Sequence, residues 1–88
     1  MEKVIMDQIY WFVYVIHSVE GLNYVGMTRD LKARLDLHNA GKSQWTKRGA
    51  EWKVVYCEKY ESSKSARQRE KYFKNTAGRE WLQRRGYL

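Results

Sequence analysis

The chain contains no proline, no long hydrophobic run and only one cysteine, Cys57. A single cysteine excludes an internal disulfide and a metal cluster of several thiolates, and its position in an apolar run predicts a buried structural thiol. The longest apolar run, within residues 9–16, is too short to cross a bilayer. The first residues lack the layout of a secretory signal. These absences predict a soluble cytoplasmic protein with no membrane partner.

Acidic residues are also few for a chain of this size. The 88 residues suffice for one small domain, 1–88, with its core over about residues 9–85. Lys and Arg number 17 against 10 Asp and Glu, which gives a formal net charge of +7. Such an excess favours an anionic partner, most often a nucleic acid, although surplus lysine also serves solubility.

Two β-rich segments flank a turn-prone centre near the start of the chain. Residues 9–17 are dense in aromatic and β-branched residues, and residues 22–25 form their hairpin partner. We expect Tyr14 and Tyr24 to lie directly opposite each other on one face, because side chains alternate between faces. Gly26 then closes the second strand, where a bare backbone allows close approach of a phosphate. The simpler interpretation is an aromatic hairpin with a cross-strand tyrosine pair.

A first helix is predicted over residues 31–39, where apolar residues recur with helical spacing and Thr28 or Asp30 can cap the start. Arg34 and His38 are four residues apart and therefore project side by side, at the border of the leucine face. A surface helix usually turns its arginine away from that face. Either the pair is functional, or Arg34 extends along the surface to water and His38 caps the helix end.

A polar loop and a third strand are expected next. The loop, residues 41–51, carries one tryptophan among basic residues, a composition that suits contact with bases and phosphates: Lys42, Trp45, Lys47 and Arg48. The tryptophan can equally fold back onto the core. Residues 52–58 alternate well enough for a strand, which extends as far as residue 60.

A second helix is predicted from Ser62 or Ser63 to residue 74, and it places Glu70 on the same face as Ala66 and Phe73. A carboxylate there is costly to bury without a partner. It is either half of an ion pair, with Arg34 or another basic residue, or a metal ligand at the edge of a cleft. After a break at residues 75–78, a final helix over residues 79–85 presents a basic face.

The tyrosines carry a resemblance to a known family. Tyr14 followed by Tyr24-Val25-Gly26 is similar to the signature of the GIY-YIG nucleases. Phe12-Val13-Tyr14 stands in the place of Gly-Ile-Tyr. The spacing of Arg34 and His38 and the position of Glu70 resemble the family too. Two longer runs resemble its small stand-alone bacterial, excinuclease-like branch: Arg69-Glu70-Lys71-Tyr72-Phe73-Lys74 and His38-Asn39-Ala40-Gly41-Lys42.

The resemblance implies a fold, an activity and a cofactor. The fold is a small α/β sandwich, β-β-α-β-α-α, whose three-stranded antiparallel sheet is flanked by helices, and the element order predicted above agrees with it. The activity is metal-dependent hydrolysis of DNA phosphodiester bonds, in repair or recombination. One Mg²⁺ or Mn²⁺ and no organic cofactor is implied, with Glu70 as the metal ligand.

Roles follow from the same resemblance. Arg34 holds the scissile phosphate. Tyr14 is the candidate base, its pKa lowered by the metal and arginine. Tyr24 and His38 position water or phosphate, and either can share the transfer of the proton. Further expected DNA contacts are Gly26, Lys42, Trp45, Lys47, Arg48 and Arg79, and Asn75 approximates an Asn that some members use.

Two other classes of function are compatible with the sequence. In the first, the chain is a non-catalytic nucleic-acid-binding domain that keeps the GIY-YIG fold. In the second, it is an interaction module whose positive charge binds an acidic protein. The first would bind nucleic acid without cleaving it in the presence of a metal. Binding to DNA and to acidic polypeptides would separate it from the second. Oligomeric state does not follow from the sequence.

Overall fold

The computed structural model describes residues 9–42 and 51–88. They form three strands and three helices in the predicted order: β1 Trp11–His17, β2 Asn23–Thr28, α1 Leu31–Asn39, β3 Lys53–Tyr60, α2 Ser63–Lys74 and α3 Thr76–Arg84. The strands make one antiparallel sheet in the order β2-β1-β3. The predicted fold class, a small GIY-YIG-like α/β fold, is confirmed. In the described part of the chain, no helix is long and apolar enough to span a membrane.

The register of the β1–β2 hairpin differs from the prediction. Tyr14 pairs with Gly26, and Tyr24 pairs with Ile16. The tyrosines therefore share a face as expected, but they are diagonal neighbours rather than directly opposite. The cause is the turn: Gly21 adopts a positive φ of 90° and its N–H donates to the Ser18 carbonyl at 3.0 Å. Glycine tolerates that φ, so the hairpin folds about a centre one residue later than expected.

The two faces of the sheet bury different clusters. One face of β1 carries Val13 and Val15, which pack with Ala66 and Phe73 of α2 and Leu82 of α3. The other face carries a second cluster that packs beneath α1, namely Tyr14, Ile16, Tyr24, Trp52, Val54, Leu31 and Leu35. Helix α1 thus lies on one face of the sheet, and α2 and α3 lie on the other, so the sheet is sandwiched between helices. This alternation places the two tyrosines on the α1 face.

Capping side chains set the helix boundaries. Asp30 accepts from the Ala33 N–H at the start of α1, and Ser62 accepts from the Ser65 N–H at the start of α2. Asn75 accepts from the Gly78 N–H, so α3 begins at Thr76, three residues before the predicted start. Asn75 therefore has a local structural task.

Three smaller predictions need correction. β2 extends to Thr28, so Gly26 lies inside the strand and does not close it. Cys57 is half-buried on β3 rather than fully buried. On α1 the exposed leucine is Leu37, and the fully buried residue is His38. The helical period alone does not predict which of these two neighbours is buried, because burial depends on the side chains that lie beneath the helix.

Candidate active site

Gly26 makes room for the tyrosine that faces it across the hairpin. A Cβ at Gly26 would lie 2.6 Å from the Tyr14 hydroxyl oxygen and 2.9 Å from Cε2 of Tyr24. Real Cβ atoms do not approach so closely, so any larger residue would displace both rings. The ring centroids of the tyrosines are 6.3 Å apart and tilted by 45°. The bare backbone predicted at Gly26 thus lies against a tyrosine side chain.

Helix α1 adds an imidazole to the tyrosine pair. The Tyr14 hydroxyl and His38 Nε2 form a buried hydrogen bond of 2.9 Å. The His38 ring is also 5.0 Å, centroid to centroid, from the ring of Tyr24. Both Tyr14 and His38 are almost wholly inaccessible, at 1% and 0% exposure. A polar pair at this depth is stable only because its members satisfy each other.

Arg34, one turn before His38, brings a positive charge to the tyrosines. Contact with the Tyr14 hydroxyl raises the pKa of Arg34 above its usual value. Among the described residues, the buried guanidinium Nε has no hydrogen-bond partner. A guanidinium with an unused donor beside a hydroxyl is a group that a phosphate oxygen can pair with.

Burial decides the protonation state of the tyrosine–histidine pair. Burial raises the pKa of Tyr14 to about 12, although Arg34 acts to lower it, and the charge of Glu70 raises it further. Burial lowers the pKa of His38, and the charge of Arg34 lowers it again. At neutral pH Tyr14 is therefore a phenol and His38 a neutral imidazole. In the tautomer that carries its proton on Nδ1, the imidazole accepts at Nε2 from the Tyr14 hydroxyl. The arginine therefore does not give Tyr14 the low pKa that was expected of a general base.

Glu70 reaches the site from the other side of the sheet. It lies on α2, which packs against the face opposite Tyr14, yet its charge acts on the Tyr14 hydroxyl. Its Oε2 accepts a hydrogen bond of 3.1 Å from Lys74, and the Lys74 ammonium lies 5.7 Å from the centroid of the Tyr24 ring. Glu70 and Lys74 are therefore beside the tyrosines. The ion pair of Glu70 is made with Lys74 and not with Arg34.

The small number of carboxylates near the site limits the kind of metal site that the described residues can form. Residues 9–42 and 51–88 hold no group of three or more His, Cys, Asp or Glu side chains that could form a metal cage. Glu70 alone, with 19% of its side chain exposed, offers one carboxylate at the edge of the site. Mg²⁺ and Mn²⁺ fit such a site, because they keep several water ligands and take the rest from one or two carboxylates and substrate phosphates.

The remaining predicted contacts lie away from this cluster or outside the described residues. Lys42 follows the end of α1 and Arg79 lies on α3, and both are exposed. Three others fall in residues 43–50, which lie outside the description: Trp45, Lys47 and Arg48. Sequence reasoning did not single out Lys74, although its position four residues after Glu70 on a helix was a signal that the two side chains meet.

Known proteins share this arrangement of strands and helices. Residues 10–84 match the family described as the GIY-YIG catalytic domain. The chain belongs to the GIY-YIG family. The resemblance inferred from the tyrosine motif is thereby confirmed, and it places the chain in a nuclease family.

Relatives of this GIY-YIG protein occur among streptococci. A UPF0213 protein of Streptococcus agalactiae serotype V is 36% identical over 64 residues, which are 72% of this chain and 73% of that protein. A UPF0213 protein of Streptococcus pyogenes serotype M3 is 38% identical over 64 residues, or 72% of this chain and 70% of that protein. The solution NMR structure of a UPF0213 protein from Bacillus halodurans has the same fold. Its TM-score is 0.54 at 23% identity, with 89% of this chain and 86% of that chain covered.

Proposed function

We propose that this chain is a divalent-metal-dependent endonuclease that hydrolyses phosphodiester bonds in DNA, acting in cytoplasmic DNA repair or recombination. The observation that carries the proposal is the buried 2.9 Å hydrogen bond between Tyr14 and His38, next to the Arg34 guanidinium. Phosphodiester hydrolysis needs a proton acceptor for water and a positive charge at the phosphate, and these three groups supply both. The net charge of +7 suits the same substrate.

Arg34 is the proposed phosphate clamp. The transition state adds negative charge to a phosphate that is already anionic, so a fixed guanidinium stabilises it more than it stabilises the substrate. Contact with Tyr14 fixes the guanidinium, while its buried Nε has no acceptor in residues 9–42 and 51–88. This is the condition expected of a donor group organised before the substrate arrives.

Tyr14 and His38 form the proposed route for the proton. With a pKa of about 12, Tyr14 is protonated at neutral pH and does not act as a base alone. We propose that the attacking water gives its proton to the Tyr14 oxygen while the Tyr14 proton moves to His38 Nε2. The water oxygen then forms the bond to phosphorus, the ester oxygen leaves, and solvent protonates it. His38 accepts this proton at Nε2 when its neutral ring carries its own proton on Nδ1.

Glu70 is the proposed ligand of one Mg²⁺ or Mn²⁺, with water and phosphate oxygens as the other ligands. When bound, the ion would supply positive charge to the phosphate as it gains negative charge. Tyr24 is proposed to orient water or phosphate, since its ring borders both His38 and Lys74. The exposed Lys42 and Arg79 are proposed DNA contacts, whereas Gly26, the other contact expected from the sequence, is buried against the Tyr14 hydroxyl.

The direct test is cleavage of single-stranded, duplex, flapped and branched DNAs with Mg²⁺, Mn²⁺ or EDTA. We expect cleavage of at least one substrate with a metal and none with EDTA. DNA binding without cleavage under every condition would instead support the non-catalytic nucleic-acid-binding alternative.

The Glu70→Gln variant tests the metal ligand. The amide is nearly isosteric, so we expect cleavage to fall by about three decades or more, at ~1.4 kcal/mol per decade, while DNA binding stays close to wild type. Cleavage rate and melting temperature are measured side by side. A well-folded variant that cuts DNA at the wild-type rate would refute the assignment, and an activity loss that tracks the unfolded fraction would make Glu70 a structural residue.

A further inference from the structure

Lys74 holds the carboxylate that the proposed function assigns to a metal. Its Nζ lies 3.1 Å from Glu70 Oε2, and the same ammonium lies 5.7 Å from the centroid of the Tyr24 ring. The lysine side chain is half-exposed, at 49%, whereas that of Glu70 is only 19% exposed. One cation therefore contacts both the proposed ligand and a proposed catalytic tyrosine.

A second ion pair with the same spacing provides a comparison within the chain. Lys32 and Asp36 on α1 are also four residues apart and 3.3 Å from each other, but their side chains are 86% and 66% exposed. A pair of that kind is screened by water and contributes little. The Glu70 side chain is less exposed, at 19%, so its pair with Lys74 is screened less by water than the Lys32–Asp36 pair.

We propose that Lys74 is a built-in counterion that competes with the divalent cation for Glu70. The inference rests on the proposed function, because it takes Glu70 as the metal ligand. A carboxylate oxygen that accepts a hydrogen bond from an ammonium group is not available in that direction to a second cation, and the two cations repel each other. Uptake of the metal at Oε2 therefore requires Lys74 to leave that oxygen, and uptake at Oε1 is opposed by the charge of the nearby ammonium.

The released lysine has a partner when DNA is present. Its four-carbon stem lets the ammonium swing away from α2, and it starts beside Tyr24, where the proposed phosphate lies. A phosphate oxygen then replaces the carboxylate as its acceptor. Metal uptake and substrate binding thus favour each other. The metal displaces Lys74 from Glu70, and the phosphate gives the displaced ammonium a new partner. Lys74 lowers metal affinity in the absence of DNA, which restricts loading of the metal to the complex with substrate.

The test is a Mn²⁺ titration of the DNA-free, ¹⁵N-labelled protein, followed by paramagnetic broadening of the amide signals around Glu70. We expect Lys74→Gln to bind Mn²⁺ roughly three- to tenfold more tightly than wild type. Lys32→Gln is the matched control, since it removes the same charge from an exposed pair, and its affinity should equal that of wild type. Lys74→Arg keeps the charge and should also titrate like wild type.

The outcomes separate this inference from the function on which it rests. If Glu70→Gln loses the local broadening and Lys74→Gln binds Mn²⁺ no more tightly than Lys32→Gln, the competition is refuted while the metal site stands. If Glu70→Gln binds Mn²⁺ like wild type, the metal site itself is refuted, and the Lys74 proposal with it. Melting temperatures of all variants establish that each is folded.

Discussion

Tyr14 is linked to the other residues of the candidate site by direct contacts or by charge. Its hydroxyl is hydrogen-bonded to His38 at 2.9 Å, and its side chain faces Gly26 across the hairpin and borders the ring of Tyr24. The charges of Arg34 and Glu70 act on the same hydroxyl. The hydroxyl shares a buried hydrogen bond with His38 Nε2, and burial together with the charge of Arg34 lowers the pKa of the imidazole, which is therefore neutral at pH 7. The stability of the fold is thereby linked to pH.

The first prediction concerns His38. Its pKa in the folded protein lies below the ordinary value of 6.5, so the unfolded chain takes up a proton first as pH falls through that value. Stability is therefore fully present above about pH 6.5 and decreases below it, by at most ~1.4 kcal/mol per pH unit. We expect the melting temperature of the wild type to fall between pH 7.5 and 5.5 and that of His38→Gln to fall less. Parallel curves for the two proteins would contradict the linkage.

At the scale of elements, α2 is held to β3 by a second polar cluster. Arg69 donates to both Glu58 oxygens, at 2.9 and 3.1 Å, and the hydroxyls of Tyr56 and Tyr60 donate to the same carboxylate. Burial would raise the pKa of Glu58, but hydrogen bonds from Arg69 and the two tyrosines lower it below its usual value. The Arg69 guanidinium also lies 4.5 Å from the centroid of the Phe73 ring. This cluster fixes the helix that carries Glu70.

The second prediction is that Glu58→Gln loosens this junction. The amide cannot accept four hydrogen bonds, and it leaves the Arg69 charge without its counterion, so we expect a loss of roughly 1–3 kcal/mol after allowance for partial exposure. Urea unfolding measures it, with the exposed Glu61→Gln as the control. The Glu58 contribution is present above about pH 4.5 and is lost as pH falls below it, so the two unfolding free energies should converge in acid. A constant difference down to pH 3 would argue against the charge pairing.

Local signals predicted the elements better than they predicted the contacts between them. Asp30 and Ser62 were readable as helix starts because capping depends on a few neighbouring atoms. The early start of α3 was missed, because Asn75 acts as a cap only where α2 and α3 meet at Gly78. A Cβ at Gly78 would lie 1.8 Å from the Tyr72 carbonyl oxygen. The need for glycine at this position arises from packing and leaves no periodic pattern in the sequence.

Within the site, residue types and spacing were predictable and the partners were not. The four-residue spacing of Arg34 and His38 placed both on one side of α1, whereas the burial of His38 depends on the Tyr14 hydroxyl of a distant strand. The hairpin register depended on a single positive φ at Gly21. Arg67 and Lys74 both lie within about one helical turn of Glu70, and Arg34 was an equally plausible partner, so the sequence did not single out Lys74.

For the whole molecule, the excess of positive charge is the property that matters to DNA. The net charge of +7 resides on side chains around the domain, and exposed basic residues occur on several elements, among them Lys42, Lys53, Lys64, Arg67, Lys71, Arg79 and Arg84. Contacts between these cations and phosphates release counterions from DNA. Affinity for DNA is therefore expected to depend on salt even where cleavage does not occur.

The third prediction is a steep loss of DNA affinity with salt. In EDTA, fluorescence anisotropy with a short duplex should show affinity falling by an order of magnitude or more between about 50 and 200 mM salt. Arg79→Gln and Lys42→Gln should each reduce the slope of log affinity against log salt by about 1, if the residue meets a phosphate. An affinity indifferent to salt would count against a basic binding surface and in favour of an interaction with another kind of partner.

The position of β1 in the middle of the sheet has a consequence for the order of folding. β1 is the first strand along the chain, and it needs β3 on one side, with Trp11 paired to Tyr60. Such distant pairing closes slowly compared with a hairpin. During synthesis the β1–β2 hairpin, with Tyr14 and Tyr24, leaves the ribosome before α1 can cover it, and Glu70 follows after β3. We therefore expect a nascent chain to be unable to cut nucleic acid near the ribosome until α2 has emerged.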